Sequence, residues 1–286
     1  METTTSDWGG GGGAGGSQLK MHIIIYQTLP HPYTAAEMSD SLRVAHCSDI
    51  HLDGDHYDHD RYVEASDYYK DMFDRVLDTM QEHDPDLVLL AGDLFDSNQA
   101  TKETIEWSME RIAAQPCPVA MIPGNHDCLV EGGIYQRHDF KTIPNLIFLT
   151  AEEGETLWIE ELGVAVWGKG MVDHSPNFAP LGGRPGRPEE CAYYIGMGHG
   201  IHVPHGEPSH RSSPIHMGEI EDSPFDYLAL GHHHAAMKLV TNEATAAYCG
   251  SPTDTVGGAA TYAMIEIEKG NGTKLEVLAI PGTETD

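Results

Sequence analysis

From Leu42 onward, short apolar runs alternate with longer stretches whose apolar residues recur every three or four positions. "LRVAHC" (42–47), "DLVLLAG" (86–92) and "VAMI" (119–122) are too short and too continuously apolar for surface helices and read as buried strands. Between them, residues 62–83 place Met72, Val76 and Met80 at helical spacing, and "TKETIEWSMERIAAQ" (101–115) reads as a second helix. Strands that alternate with helices in this way predict parallel βαβ units. After residue 145 the pattern changes. "LIFL", "TLWIEE", "VAVWG", "AYYIGMG", "YLAL", "KLVT", "AAYCG", "TYAMIEIE" and "KLEVLAI" read as short strands between turns, and helical periodicity nearly vanishes. Residues 173–190 and 200–224, rich in Pro with Gly or with Ser and His, are predicted to be irregular. The chain thus reads as one α/β domain over residues 41–286, helix-rich first and strand-rich second. Residues 1–40 stand apart: "WGGGGGAGG" has no side chains with which to build a core and predicts a flexible Gly-rich N-terminal segment.

Composition narrows the functional classes. Among 286 residues, 45 Asp and Glu face 16 Lys and Arg, a formal net charge of −29. Such a chain repels polyanions at long range, so a basic nucleic-acid footprint is absent at the level of the whole molecule. A handful of metal ligands cannot account for that many acids; solubility and high-salt adaptation both remain open. No stretch approaches the ~18 consecutive apolar residues of a membrane span. A basic-then-apolar leader is also missing, and the expectation is a soluble, cytoplasmic protein with no membrane partner. Cys47, Cys117, Cys128, Cys191 and Cys249 are scattered without a C-x-x-C pair, which argues against a disulfide framework or a cysteine zinc cluster.

The chemistry gathers just after the predicted strands. Asp49 and His51 ("SDIH") follow the first, Asp93 and Asp96 ("GDLFD") the second, and Asn125, His126 and Asp127 ("GNHD") the third. His199 ("MGHG") and then His232, His233 and His234 ("GHHH") follow two later ones. In open α/β sheets functional groups collect at the carboxyl ends of strands, so these distant residues are expected to converge on one edge. Imidazole with carboxylate suits Mn, Fe or Zn, whereas Mg or Ca calls for oxygen ligands. Any one of the clusters alone is explained as well by a cap or a turn. The ordered set is not.

That order, D-x-H, G-D-x-x-D, G-N-H-D, H-G and G-H-x-H, resembles the calcineurin-like metallophosphoesterase superfamily over residues 42 to about 256. Within it, "AGDLFD", "IPGNHD", "FDYLALGHHH" and "AAYCGSPTDT" most resemble the SbcD-like nuclease subunits of double-strand-break repair exonucleases. The protein phosphatase branch has an Arg after the second Asp of G-D-x-x-D and a Glu after G-N-H; here those positions hold Ser97 and Asp127. The resemblance implies a single-domain, four-layer α/β/β/α sandwich and two divalent metal ions, Mn first, with Fe or Zn as alternatives. It implies Asp49, His51, Asp93 and His234 around one ion, and Asp93, Asn125, His199 and His232 around the other, with Asp93 bridging. His126 would face the scissile phosphate, stabilising charge or protonating the leaving oxygen; Asp96 or Asp127 would orient it, with a purely structural acceptor role for Asp127 equally open.

The implied reaction is hydrolysis of a phosphate ester by a metal-bridging hydroxide. A phosphodiesterase of nuclease-like ancestry fits first, acting on nucleic acid or a smaller nucleotide diester. A small-molecule phosphomonoesterase using the same site is the alternative, and a non-catalytic interaction module is a third, opposed by the intact ligand positions. Repair nucleases of this type carry a further region for DNA and partners, whereas here only residues 256–286 follow "GSPTDT". The negative charge also disfavours tight duplex binding. The arginines of "GGRPGRP" (182–188), Arg211, and His202, His205, His210 and His216 are expected to be solvated loop residues. Strand alternation predicts His232 and His234 on one side, with His233 a spacer dispensable for metal binding.

Overall fold

The structure, a computed structural model, describes residues 39–55, 64–242 and 244–284. The glycine-rich segment lies, up to residue 38, outside the described residues. The apolar runs become strands largely as the pattern predicts: β1 (Ser41–Cys47), β2 (Leu87–Ala91), β3 (Val119–Ile122) and β4 (Leu146–Phe148). They lie side by side and parallel, and every residue of β2, β3 and β4 is buried. Two helices supply the crossovers. In α1 (Ala65–Gln81), Tyr69, Met72, Phe73, Val76, Leu77 and Met80 form one buried stripe at helical spacing. In α2 (Lys102–Ala113), the hydroxyl of Thr101 accepts the Thr104 N–H at 3.2 Å as an N-cap, and Ile105, Ser108 and Ile112 face inward. A one-turn helix, α3 (Ile134–Arg137), stands between β3 and β4.

A second sheet follows. β5 (Glu155–Ile159), β6 (Val164–Gly168), β7 (Tyr193–His199), β10 (Tyr227–Gly231), β12 (Thr245–Tyr248) and β11 (Met237–Val240) lie in that spatial order; β6, β7, β10 and β12 are parallel, and β5 and β11 are antiparallel edges. The chain then returns to the first sheet. β13 (Thr261–Glu268) pairs antiparallel with β1, from Ser41↔Glu268 to His46↔Ala263, and β14 (Gly272–Ala279) forms the outer edge.

Apolar contacts define the layers. Ala45, Val88, Leu90 and Met121 pack against the stripe of α1 and against Ile105 and Ile112 of α2. The opposite face of that sheet, with Val44, Leu89 and Ile122, meets Val166, Ile195, Met197 and Ala229 of the second. Beyond it, Trp167, Tyr194, Leu228 and Tyr248 are covered by Leu181, Ile215, Ile220 and Phe225. The sandwich is therefore α/β/β with a thin fourth layer. The only helix of that layer among the described residues is α4 (Met217–Glu221), beside the small parallel pair β8 (Ile201–Val203) and β9 (Pro214–His216). All three lie in 200–224, where the sequence pattern predicts no element. Pieces of three to five residues are too short to show a period. Among the described residues no helix is long and apolar enough to cross a membrane.

One polar residue is sealed in a core. His46 on β1 is fully buried; its Nδ1 lies 2.8 Å from the Tyr227 hydroxyl, and its Nε2 has no partner. Burial lowers its pKa from the ordinary 6.5 to about 3. Between those values the unfolded chain takes up a proton that the folded chain refuses. Stability is then intact above pH 6.5 and falls as the pH drops toward 3, by up to about 1.4 kcal/mol per pH unit. Wild type should accordingly lose about 2 kcal/mol more than His46→Leu between pH 7.5 and 5.0. Denaturant unfolding at the two pH values measures this, and parallel losses in the two proteins would refute it.

Candidate metal centre

The sequence clusters converge at the carboxyl ends of β1, β2 and β3 in one sheet and β7 and β10 in the other. The loops leaving β1 and β2 hold each other: Asp49 N donates to Gly92 O (3.1 Å), and Ile50 N and His51 N donate to Asp93 O (2.9 and 3.1 Å). Asp49, His51, Asp93 and His232 all adopt positive φ (57°, 54°, 53° and 99°). Each such non-glycine residue costs about 1–3 kcal/mol, sustained only where surrounding contacts over-determine the backbone. Two glycines of the motifs permit the close approach. A Cβ on Gly124 would strike the Asp93 carboxylate, and one on Gly231 would strike Ala91 O and His199 Nδ1.

Side-chain atoms from these loops fall into two sets. In the first, His51 Nε2 and His234 Nε2 face each other at 3.1 Å, with Asp93 Oδ2 3.9 Å from His51 and the buried Asp49 beside them. In the second, Asn125 Oδ1 lies 3.0 Å from His199 Nε2 and 2.8 Å from His232 Nδ1, while Asp93 Oδ2 lies 3.1 Å from His199 Nε2. Asp93 belongs to both sets. A third possible grouping joins His51 and Asp93 to His126.

Three of the imidazoles are held from outside. His51 Nδ1 donates to Asp96 Oδ1 (3.1 Å), His199 Nδ1 to Ala91 O (2.8 Å) and His234 Nδ1 to Asp254 Oδ2 (2.9 Å). Fixing Nδ1–H outward turns the Nε2 lone pair inward, the outer-shell pattern of metal-ligating histidines. With both Nδ1 protons committed, the facing Nε2 atoms of His51 and His234 oppose lone pair to lone pair and call for a cation. The residues present therefore fit a divalent ion in each set.

The local field agrees. Burial works against charge on His199, yet the Asp93 carboxylate outweighs it and pushes His199 up to about 9. Asp93 is buried as well, and the charge and hydrogen bond of His199 still hold it far below the usual carboxylate range. His51 also rises: burial opposes the shift, and the Asp96 hydrogen bond with the Asp93 charge drives it. His232, with burial first and His199 second, is lowered to about 3. A pocket that raises the pKa of two buried imidazoles attracts cations generally.

His126 stands at the rim, its side chain 41% exposed and its ring edge-on to His51 at 4.6 Å. Its main-chain N–H donates to Asp93 Oδ1 (2.8 Å), and its Nδ1–H donates to the main-chain carbonyl of Asp96 (2.6 Å). The orienting group thus differs from the expected carboxylates. The Asp96 carboxylate is 3.8 Å from His126 Nδ1 and bonds His51 instead. Asp127 is fully buried and accepts from Gly124 N (2.7 Å), Leu94 N (2.9 Å), Phe95 N (3.3 Å) and the Tyr135 hydroxyl (2.7 Å). Among the described residues those amides have no other acceptor, so Asp127 serves the loop rather than the imidazole.

The histidine run does not follow the alternation expected of a strand. Residues 232–234 are not in a strand, so alternation does not apply; the left-handed His232 turns the chain. His232 and His234 join different donor sets, and His233 turns its Nδ1 to Ala235 O (2.7 Å) with its ring against Tyr248. Outside the centre, Arg187 is paired with Asp226 at 2.7 Å and Arg184 donates to Leu181 O (3.1 Å), so neither is simply solvated. His205 pairs with Glu221 at 2.8 Å, and His202 lies on β8 rather than in an open loop.

The main omission of the sequence reading is Asp254. The loop after β12 carries it, and this loop also braces the β1 loop through Ser251 Oγ to Asp49 O (2.7 Å) and Thr253 Oγ1 to Ile50 O (3.0 Å). The segment "GSPTDT" stands out in the sequence, but an Asp between two threonines reads as a turn. Asp254→Ala is expected to weaken divalent metal retention by roughly 10- to 100-fold. Calorimetric titration of chelator-stripped protein checks this; unchanged affinity would reduce Asp254 to a turn residue.

Comparison with known proteins bears on the fold and the family. TT1561 of Thermus thermophilus superposes with a TM-score of 0.52 at 12% identity, over 84% of this chain and 99% of that one. The calcineurin-like phosphoesterase YfkN from Bacillus subtilis gives 0.50 at 16%, over 86% and 92%. GAP50, the anchor in the inner membrane complex of Plasmodium, gives 0.50 at 12%, over 85% and 86%. At such identities these likenesses speak for the fold and not for a substrate. The family model is more telling, since its matched span contains every residue of both donor sets. Residues 42–236 match the model of the calcineurin-like phosphoesterases, and the chain belongs to that family.

Proposed function

We propose that residues 41–286 form a dinuclear metal-dependent phosphoesterase that prefers phosphodiesters and has nuclease-like ancestry. One observation carries this reading: two inward-facing donor sets share the Asp93 carboxylate, with three of their imidazoles fixed from outside. Asp49, His51, Asp93 and His234 would hold one divalent ion, and Asp93, Asn125, His199 and His232 the other. Bound there, the ions supply Lewis acidity toward a phosphate oxygen and acidify water enough for attack near neutral pH. The family works with divalent metals, and the imidazole–carboxylate donor set favours Mn, Fe or Zn over Ca.

The chain's own residues contribute the rest. Asp93 sets the spacing of the two sets, anchored by the His126 N–H at 2.8 Å. His126, with Nδ1–H committed to Asp96 O, keeps Nε2 for a proton delivered to the leaving oxygen. Its partial exposure lets a substrate reach it. Ser97 stands where the protein phosphatase branch has an Arg, and the lack of that guanidinium favours a diester, which carries one charge, over a monoester dianion, which carries two.

The test is a substrate panel with metal removal. Bis-p-nitrophenyl phosphate, p-nitrophenyl phosphate and labelled single- and double-stranded DNA are assayed before chelation, after it, and after return of Mn, Fe or Zn. Diester turnover should vanish with the chelator and return best with Mn. Turnover indifferent to exhaustive metal removal would overturn the mechanism. Faster turnover of the monoester would overturn the diester preference. Metal-replete protein inert on every substrate would favour an interaction module.

A further inference from the structure

The loop between β6 and β7, which the sequence pattern leaves irregular, brings a further imidazole to the metal centre. His174 sets its ring edge-on to His232 with centroids 5.6 Å apart, and His232 meets His199 in the same manner at 5.3 Å. The three rings form a stair from the interior outward: His199 is buried, His232 half-buried and His174 exposed. His174 is not placed as a ligand, since it joins none of the groups whose donor atoms all lie within 4.8 Å of one another. Neither of its ring nitrogens has a hydrogen-bond partner among the described residues.

The backbone is pinned on both sides of this residue. Gly170 N donates to Ala151 O (2.9 Å), and a Cβ on Gly170 would strike Thr150 O. Leu129 N, just past the GNHD turn, donates to Met171 O (2.8 Å) and ties the two loops together. On the far side, Ser213 N donates to Ser175 O (2.9 Å). His174 is thus carried between fixed points at 171 and 175, beside the second donor set, with its nitrogens uncommitted. The first set ends toward solvent in His126, 4.6 Å from His51; the second ends in His174. A phosphate ester laid across both sets would have one exposed imidazole at each end.

We propose that His174 is a substrate-contacting residue whose N–H donates to an oxygen of the phosphate ester at the end away from His126. An imidazole carries at least one N–H in either charge state, so this donation needs no particular protonation. His126 then serves the leaving oxygen, and His174 holds the part of the ester that stays behind. The adjacent Asp173 is exposed as well, and its carboxylate repels a phosphate. Attraction therefore comes from the two ions, and His174 supplies direction. The inference deepens the phosphoesterase reading and rests on it, but its test keeps the two apart.

His174→Phe and His174→Gln make the comparison. Phenylalanine keeps a ring against His232 and loses the donor; glutamine keeps a donor and loses the ring. His174→Phe should raise KM for bis-p-nitrophenyl phosphate about tenfold, the worth of one hydrogen bond, against a fall in kcat of less than about threefold. It should weaken dimethyl phosphate binding to the Zn-loaded protein, followed by ³¹P NMR, by the same factor. His174→Gln should recover most of both losses, and metal content should stay at two equivalents throughout. Wild-type constants in His174→Phe, with the loss falling on His174→Gln instead, would make His174 a prop for His232 and overturn the inference. Unchanged constants in both variants would overturn it too, as would loss of bound metal. In each of these cases the phosphoesterase reading stands. Should the protein hydrolyse nothing, that reading fails, and dimethyl phosphate binding decides His174 alone. Binding in wild type that is about tenfold weaker in His174→Phe supports the contact; no binding in wild type overturns it.

Discussion

Asp93→Asn should lower metal-dependent hydrolysis by at least about 10³-fold and reduce bound metal from two equivalents to one or none. The magnitude follows from what the carboxylate touches. Its Oδ2 lies 3.1 Å from His199 Nε2 and 3.9 Å from His51 Nε2, one contact in each donor set. An amide there removes the negative charge and turns an N–H₂ toward groups that need an acceptor or a cation. Several kcal/mol of transition-state stabilisation depends on paired ions, and each 1.36 kcal/mol is tenfold in rate. The substitution is nearly isosteric, and Oδ1 of the amide can still accept the His126 N–H, so the fold should hold. Metal content by mass spectrometry, beside kcat and thermal unfolding, gives the reading. A folded variant with two equivalents of metal and near-normal turnover would remove Asp93 from its central place.

His126→Ala should separate chemistry from metal binding. Loss of a positioned general acid costs about 10²–10⁴-fold, while both donor sets remain intact. The loss should depend on the leaving group. A nitrophenolate departs without a proton, so its hydrolysis should fall least, and esters of alkoxide leaving groups should fall most. If the variant instead loses metal, the grouping of His126 with His51 and Asp93 reflects ligation, and its assignment as proton donor fails. A uniform loss across leaving groups would also count against proton delivery.

The legible and illegible parts of this protein differ in physical range. Buried strands and the α1 stripe are readable because burial imposes a period on the chain, as Met72, Val76 and Met80 show. The candidate ligand residues are readable because they sit at or just past the carboxyl ends of strands, where an α/β sheet gathers its chemistry. What sequence reasoning misses is set by contacts between loops. The left-handed backbone at Asp49, His51 and Asp93 is stabilised by hydrogen bonds from one loop to the next, and no local propensity announces it. Asp127 and Asp96 are chemically equivalent in sequence. Only the position of the Leu94, Phe95 and Gly124 amides sends one to the backbone and leaves the other for His51. Asp254 follows the same logic, an ordinary turn acid until His234 is brought to it.

The strand order has a consequence for how this protein is made. β1, whose loop carries Asp49 and His51, is flanked by β2 on one side and by β13 on the other, with Ser41 opposite Glu268. During synthesis β1 and β2 emerge early, but the second edge of β1 stays open until β13, more than 200 residues later, has left the ribosome. Through that interval an apolar strand edge is available to the wrong neighbour. Closure of the first sheet, and with it the final setting of the Asp49 loop, awaits the β13–β14 hairpin. Chains ending before Thr261 should therefore accumulate as aggregates rather than as weakened enzymes.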